Sequence, residues 1–504
     1  MNTPLRHTAS NYIGGRWRPI EGDQVRSTNP AAPEEVVWSG SPDPAHVDEA
    51  VQAARAAFPD WAARSMDERI EALRKWQVVT GKYAESLARL ITAEMGKIHA
   101  ESLFEAKALA GKVDVTLDEI SLSRVRDYKV AVSGTRAGHC RFKPHGVMAV
   151  IGPFNFPAHL ANGHFVPALL TGNTIVFKPS EKTPAVGQMI AEMMDEAQLP
   201  PGVFNLIQGG GEIAASLVGH DEINGILFTG SWPVGRRILE ANLDRPGRIV
   251  ALEMGGNNPA VVLDDAHLKQ AVIECARASF ATTGQRCTCT RRIMVQSGIA
   301  ERFIPAFVKA ASTLVIGPGD TMAPVFMGPL VTEEAADAVI TYQSELAQRG
   351  GKVLLEAARI DQPGHFVSPG VVEVDRFTLE NDRECFGPLA QISIVDSLDE
   401  AIEQANATEY GLAASIFTAS DLDFQRFFRE CRAGCINHNT GTAGASSKLP
   451  FGGLGKSGNH RPAAAFSVDY CAYPVASMAE EGSEAAVPEG IKWDDAWVDG
   501  GSGA

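Results

Sequence analysis

Three side chains in this sequence have the types that nucleophilic attack, proton abstraction and oxyanion stabilisation require. Cys287 lies in Phe280-Ala281-Thr282-Thr283-Gly284-Gln285-Arg286-Cys287-Thr288-Cys289. A nucleophilic cysteine needs an accessible thiolate and a lowered pKa, which neighbouring Arg286 or a helix start would supply; the alternative is an inert buried thiol. Glu253 interrupts an apolar strand end, Ala251-Leu252-Glu253-Met254-Gly255-Gly256. A carboxylate buried there has a raised pKa and works as a base near neutrality, unless it is a paired structural glutamate. The glycine pair after it allows a sharp turn or a close approach to a ligand. Asn155 stands in Gly152-Pro153-Phe154-Asn155-Phe156-Pro157. Its neutral amide donor suits an oxyanion, or else satisfies the backbone of a turn.

Two further segments suit a dinucleotide. Gly230-Ser231-Trp232-Pro233-Val234-Gly235 follows the strand-like Gly225–Thr229 and opens a helix-like stretch, so its backbone N–H groups can face a pyrophosphate. Lys178 and Glu181, in Val176-Phe177-Lys178-Pro179-Ser180-Glu181, fall at the carboxyl end of another strand. A carboxylate there accepts from ribose hydroxyls and repels a 2′-phosphate, which favours NAD over NADP; the alternative is a solvated loop pair. Two other glycine loops fail. Gly453-Leu454-Gly455-Lys456-Ser457-Gly458 follows Pro450-Phe451-Gly452 instead of a strand, and the phosphate-loop pattern ending at Ser457 would need its first glycine where Pro450 stands. Cys287 and Cys289 lack the spacing and further ligands of a zinc site, so no metal is expected.

The elements that must hold these residues show as an alternation. Apolar runs at 147–151, 174–177, 203–207, 225–229 and 248–252 are separated by helix-like stretches at about 184–198, 212–219 and 233–242. That alternation predicts a parallel, doubly wound sheet, which binds ligands beyond its strands' carboxyl ends. A second α/β segment runs from about 259 to 450, with a loop at 317–330. Helices are expected at 44–58 and at about 67–95, the latter stopped by Gly96. Residues 129–142 alternate as in an exposed ribbon. The segment from Ala479 onward is acidic and reads as loosely ordered.

Composition narrows the partners. The 504 residues carry a net charge of −16, with 45 % hydrophobic and 21 % charged residues. That is globular composition without the cationic face that nucleic acid demands. No apolar run reaches the roughly 18 residues of a membrane span, and the N-terminal stretch lacks a secretory h-region. The eight cysteines form no C-x-x-C pair, which suits reduced thiols. The expectation is a cytoplasmic protein acting on small molecules, without nucleic acid or membrane.

Taken in order, GPFNFP (152–157), KPSE (178–181), GSWPVG (230–235), LEMGG (252–256), GQRC (284–287), ECFGP (384–388) and PFGG (450–453) resemble the aldehyde dehydrogenase superfamily over roughly residues 10–478. Within it, HLANGHFVPALLTGN (159–173), GGNNP (255–259), GQRCTCTRR (284–292) and GNHRP (458–462) resemble its succinylglutamate-semialdehyde branch, which belongs to arginine breakdown. The resemblance implies an α/β fold of three parts: a Rossmann-like NAD domain over 1–123 and 146–254, an α/β catalytic domain over 255–450, and a β-ribbon oligomerisation element over 124–145 and 463–478, with 479–504 as an acidic tail. It implies a homo-oligomer, dimer or tetramer. It makes Cys287 the nucleophile, Asn155 the oxyanion donor together with the Cys287 N–H, and Glu253 the base that activates water. Lys178 and Glu181 match adenosine-ribose contacts, residues 230–235 the pyrophosphate turn, and Glu384 with Phe386 the nicotinamide-ribose side.

The sequence departs from the family pattern at Asn257, Cys385, Trp232-Pro233 and Ala158. An aldehyde rich in carboxylates calls for forked donors, so Arg286 and Arg461 are the substrate-binding candidates, followed by His164 and His460. An NAD(P)-dependent dehydrogenase of another acidic semialdehyde, and a non-catalytic scaffold of the same fold, are the alternatives.

Overall fold

Short aliphatic runs, buried on both faces, build the first sheet, as parallel strands covered by helices require. The computed structural model describes residues 5–498 apart from Met322 and Glu484. Residues 1–4 of the expected NAD domain, and residues 484 and 499–504 of the expected acidic tail, lie outside the described residues.

From edge to edge this sheet reads Ile249–Glu253, Gly225–Thr229, Val147–Ile151, Thr174–Lys178, Phe204–Leu206, Ser10–Ile13 and Arg16–Pro19. The first five strands are parallel, and the last two form an antiparallel hairpin on the edge. All five expected apolar runs are strands. The chain starts this set at Val147–Ile151, winds outward to Phe204–Leu206, then returns to Gly225–Thr229 on the other flank. That reversal opens a crevice at the carboxyl ends of Val147–Ile151 and Gly225–Thr229, the topological switch point of such sheets. The segments carrying Asn155, Lys178, Ser231 and Glu253 all leave carboxyl ends at or near it.

Only four residues, 254–257, separate Glu253 from Asn258–Val262, a central strand of the second sheet. That sheet reads Lys352–Leu355, Gly370–Glu373, Leu389–Val395, Thr290–Gln296, Asn258–Val262, Ala413–Phe417 and Cys435–His438, parallel except for its first strand. The result is the α/β architecture expected, with Glu253 at the seam between two sheets.

The helix expected at 67–95 spans Met66–Met95, opened by a Ser65–Glu68 capping box and closed by Gly96 at φ 80°. The helix expected at 44–58 runs further, to Ala63, through Pro59. Trp61 explains the extension: it is buried and its indole N–H donates to the Leu169 carbonyl at 3.2 Å. Residues 128–144 form a hairpin of Tyr128–Ser133 and Arg136–Pro144, joined by Ala472–Glu480 in a three-stranded antiparallel ribbon. Its third strand thus begins at 472, not 463. Residues Ala463–Ala464 pair instead with Pro450–Phe451, beside Glu253. The strand also continues to Glu480, into the segment expected to be loose.

Candidate active site

Cys287 sits on a loop between helix Leu268–Phe280 and strand Thr290–Gln296. Three successive residues before it adopt the left-handed region: Thr282 (φ 53°), Thr283 (φ 56°) and Gly284 (φ 72°). For β-branched threonines this backbone is strained and persists only when neighbours enforce it. The Glu101 carboxylate accepts from the Thr282 N–H (3.2 Å) and hydroxyl (2.8 Å), and Thr283 donates to the Gly328 carbonyl at 2.9 Å. A side chain at Gly284 would strike the Gly387 carbonyl. Buried Arg291 donates to the carbonyls of Gly284 (2.7 Å) and Gly387 (3.1 Å), and Asn258 donates to those of Cys287 (2.7 Å) and Cys289 (2.8 Å). The sulfur is therefore presented by a loop fixed at nearly every turn.

Asn155 approaches the same loop from the first sheet, its amide donating to the Gln285 carbonyl at 3.0 Å. Its own segment is held by a buried pair: Lys97 and Glu105 meet at 2.6 Å, Glu105 accepts from the N–H groups of Ala158 (3.0 Å) and His159 (3.1 Å), and the Lys97 ammonium lies over the Phe156 ring at 3.5 Å. Glu253 completes the convergence. One of its carboxylate oxygens, Oε2, is buried without a partner among the described residues, and Gly452 approaches the other so closely that a Cβ would lie 2.8 Å away. Burial raises its pKa well above the ordinary carboxylate range, opposed only by the Ala463 N–H. The Cys287 thiol is also pushed up, first by burial, then by Glu384 and Glu253. The cleft alone thus favours a neutral thiol and a neutral acid. A cation brought into it would favour the thiolate.

The three side chains line one cavity of about 1270 Å³, beyond the roughly 300–1,000 Å³ that serves one drug-sized ligand. Its floor continues along the switch point. There Lys178, 3 % exposed, donates to the carbonyls of Pro179 (2.5 Å) and Gly209 (2.9 Å), with the half-exposed Glu181 4.0 Å away at the rim. Burial lowers the Lys178 pKa to about 8. Residues 230–234 line the next stretch. Helix Trp232–Glu240 starts there with no side-chain cap from Ser231; Pro233 carries no N–H and the Val234 N–H donates to the Ser231 carbonyl at 3.2 Å, which leaves the Trp232 N–H at the helix start for an anion. Gly235 does not reach the cavity; it is packed against Met254, and a side chain there would collide with it. Glu384 and Phe386 line the cavity back beside Cys287, Glu384 accepting from the Gly256 N–H at 3.0 Å. The glycine pair 255–256 thus makes room for Glu384 and for the Cys287 carbonyl. Such a groove, with a buried ammonium, the Trp232 N–H at a helix start and a carboxylate at a strand end, fits a dinucleotide.

The substrate-side candidates separate. Arg286 lines the cavity, but its guanidinium is already paired with Glu101 at 2.8 Å and bonded to the Thr282 hydroxyl. Arg461 and His460 are exposed and do not line it. His164 does, bonded to the Tyr470 hydroxyl (3.0 Å) and to Thr229 (3.3 Å), its pKa lowered to about 3 by burial and by Lys112. Glu101, Lys97, Glu105, Asn258 and Arg291 went unread in the sequence. The available signal was charge placed inside apolar helices and strands.

Among known proteins, the model of the aldehyde dehydrogenase family matches residues 17–473. A curated protein of Chromobacterium violaceum named N-succinylglutamate 5-semialdehyde dehydrogenase is 41 % identical over 475 residues, 93 % of this chain and 96 % of its own. One of the same name from Novosphingobium aromaticivorans is 42 % identical over 473 residues, 94 % and 99 % of the two chains. The solved lactaldehyde dehydrogenase of Escherichia coli superposes with a TM-score of 0.89 at 29 % identity, covering 94 % of this chain and 99 % of that one. PnpE, solved in complex with nicotinamide adenine dinucleotide, gives 0.89 at 30 % identity, with 95 % and 99 % coverage.

Proposed function

The chain belongs to the aldehyde dehydrogenase family and is an aldehyde dehydrogenase using a nicotinamide dinucleotide, and from that premise we propose that it oxidises N-succinylglutamate 5-semialdehyde to N-succinylglutamate with NAD. The observation that carries this reading is the single cavity in which Cys287, Asn155 and Glu253 meet, at the end of a groove shaped for a dinucleotide. The identity to curated proteins of that name supports the substrate.

In the proposed reaction the Cys287 sulfur adds to the aldehyde carbon, and the carbonyl π electrons move to oxygen. Asn155 and the Cys287 N–H donate to that oxyanion. Lys178 and Glu181 hold the adenosine ribose, residues 230–234 the pyrophosphate, and Glu384 with Phe386 the second ribose. Bound there, the oxidised dinucleotide supplies a hydride acceptor and a positive ring charge. Loss of hydride from the thiohemiacetal carbon leaves a thioester on Cys287. Glu253 takes a proton from water, the hydroxide adds to the thioester, and the C–S bond breaks to release the Cys287 thiolate and the carboxylic acid, which gives its proton to solvent to become the carboxylate product. Glu181, which accepts from ribose hydroxyls and repels a 2′-phosphate, supports NAD over NADP. We also read the chain as a cytoplasmic homo-oligomer, supported by eight unpaired cysteines and by the exposed apolar face of the ribbon.

The test is spectrophotometric. Purified protein with N-succinylglutamate 5-semialdehyde should reduce NAD faster than NADP, and should prefer this aldehyde by kcat/KM over other acidic semialdehydes. Preference for a different semialdehyde would overturn the substrate assignment.

A further inference from the structure

Helix His99–Thr116 carries Glu105 and Lys112 seven residues apart, two turns along one face. Glu105 is fully engaged, by Lys97 and by the N–H groups of Ala158 and His159. Lys112 is not. It is 2 % exposed, donates to the Ala464 carbonyl at 2.7 Å and, among the described residues, meets no carboxylate. A buried ammonium with only a backbone acceptor leaves much of its desolvation cost unbalanced. Burial accordingly lowers its pKa to about 8.

Lys112 nonetheless faces the cavity that holds Cys287, as does His159. The Nδ1 of His159 is buried and, among the described residues, has no partner, and the charge on Lys112 acts on this ring. The other cations on the Cys287 side are already matched: Arg286 by Glu101 (2.8 Å) and Arg277 by Glu274 (2.6 Å). Phe104 and Leu160 line the same cavity and give an aldehyde's carbon chain an apolar wall.

We propose that Lys112, with His159 beside it, receives a carboxylate of the aldehyde substrate, so that this pair selects acidic semialdehydes over uncharged aldehydes. The inference rests on the function proposed above and names the group that recognises its substrate class. A carboxylate placed there supplies the countercharge that Lys112 lacks and accepts from His159 Nδ1–H, two bonds that an uncharged aldehyde cannot make.

The experiment compares kcat/KM for N-succinylglutamate 5-semialdehyde and for hexanal in the wild type, in Lys112→Met and in His159→Phe. Methionine keeps the length of the chain while removing the charge. Lys112→Met should lose about 30-fold or more on the acidic aldehyde, mainly through KM, as loss of a desolvated charge partner does. His159→Phe should lose about fivefold or more on the same aldehyde, the cost of one unmade buried hydrogen bond. Hexanal turnover should stay within about threefold in both, since uncharged contacts are retained. Should Lys112→Met fail to fold, Lys112→Gln takes its place with the same readout. Equal losses on both aldehydes, or retention of the acidic preference by both variants, would overturn the subsite alone. Absence of that preference in the wild type would overturn the subsite and the proposed function together.

Discussion

Glu253 ends an apolar strand, and burial there lifts its pKa from 4.5, which suits the base of the proposed mechanism. The folded chain holds this proton more tightly than the unfolded one, so between pH 4.5 and the raised value the native state binds more protons, and stability falls as pH rises. Glu253→Gln should therefore melt at a higher temperature than wild type at pH 8, with the difference shrinking toward pH 5 in scanning calorimetry. In stopped flow the same variant should keep the first-turnover burst of NADH and lose steady-state turnover, because only thioester hydrolysis needs the base. In the wild type, turnover should decline as pH drops and Glu253 takes up its proton. A variant with full turnover would remove Glu253 from the mechanism. At this scale the sequence was informative wherever residue type names a chemistry, as for Cys287, Glu253 and Asn155. It was silent on Asn258 and Arg291, whose polar groups hold the Cys287 loop, and on the pairing of Arg286, because the countercharge on Glu101 lies far away in sequence.

The element that decides reactivity is the turn before Cys287. Its threonine pair is held in left-handed backbone by Glu101 and Gly328, and Gly284 fits only because it has no Cβ to meet Gly387. Gly284→Ala should keep the far-ultraviolet circular dichroism of the wild type and lower kcat by about tenfold or more, since small misplacements of a nucleophile are costly. Unchanged kcat would show that the turn tolerates displacement. Strands and helices were legible from periodicity, and the stop at Gly96 from its residue type. The ends were less so: Ala45–Ala63 outruns its expected stop because a tertiary contact at Trp61 outweighs Pro59, and no local pattern carries that information.

At the scale of the molecule, two sheets meet where four residues join Glu253 to Asn258, and the site occupies that seam. The alternation of strand and helix made the sheets legible. The ribbon strand begins at Ala472 and not at 463 because Ala463–Ala464 pair with Pro450–Phe451 beside Glu253 and Ser467–Tyr470 coils into a helical turn, contacts that no local pattern announces. The ribbon exposes Tyr128 (58 %), Val130 (49 %) and Val132 (51 %) on one outer strand. On the homo-oligomeric reading, Val130→Asp with Val132→Asp should shift sedimentation toward smaller species; an unchanged sedimentation coefficient would place the subunit contact elsewhere.

The proposed reaction passes through an acyl group bound to Cys287, which mass spectrometry detects. Glu253→Gln protein mixed with NAD and N-succinylglutamate 5-semialdehyde, then quenched in acid, should gain the mass of the N-succinylglutamyl acyl group, mapped by peptide digestion to Cys287. NADH formation without an acyl adduct, or an adduct on Cys289 in its place, would contradict the account.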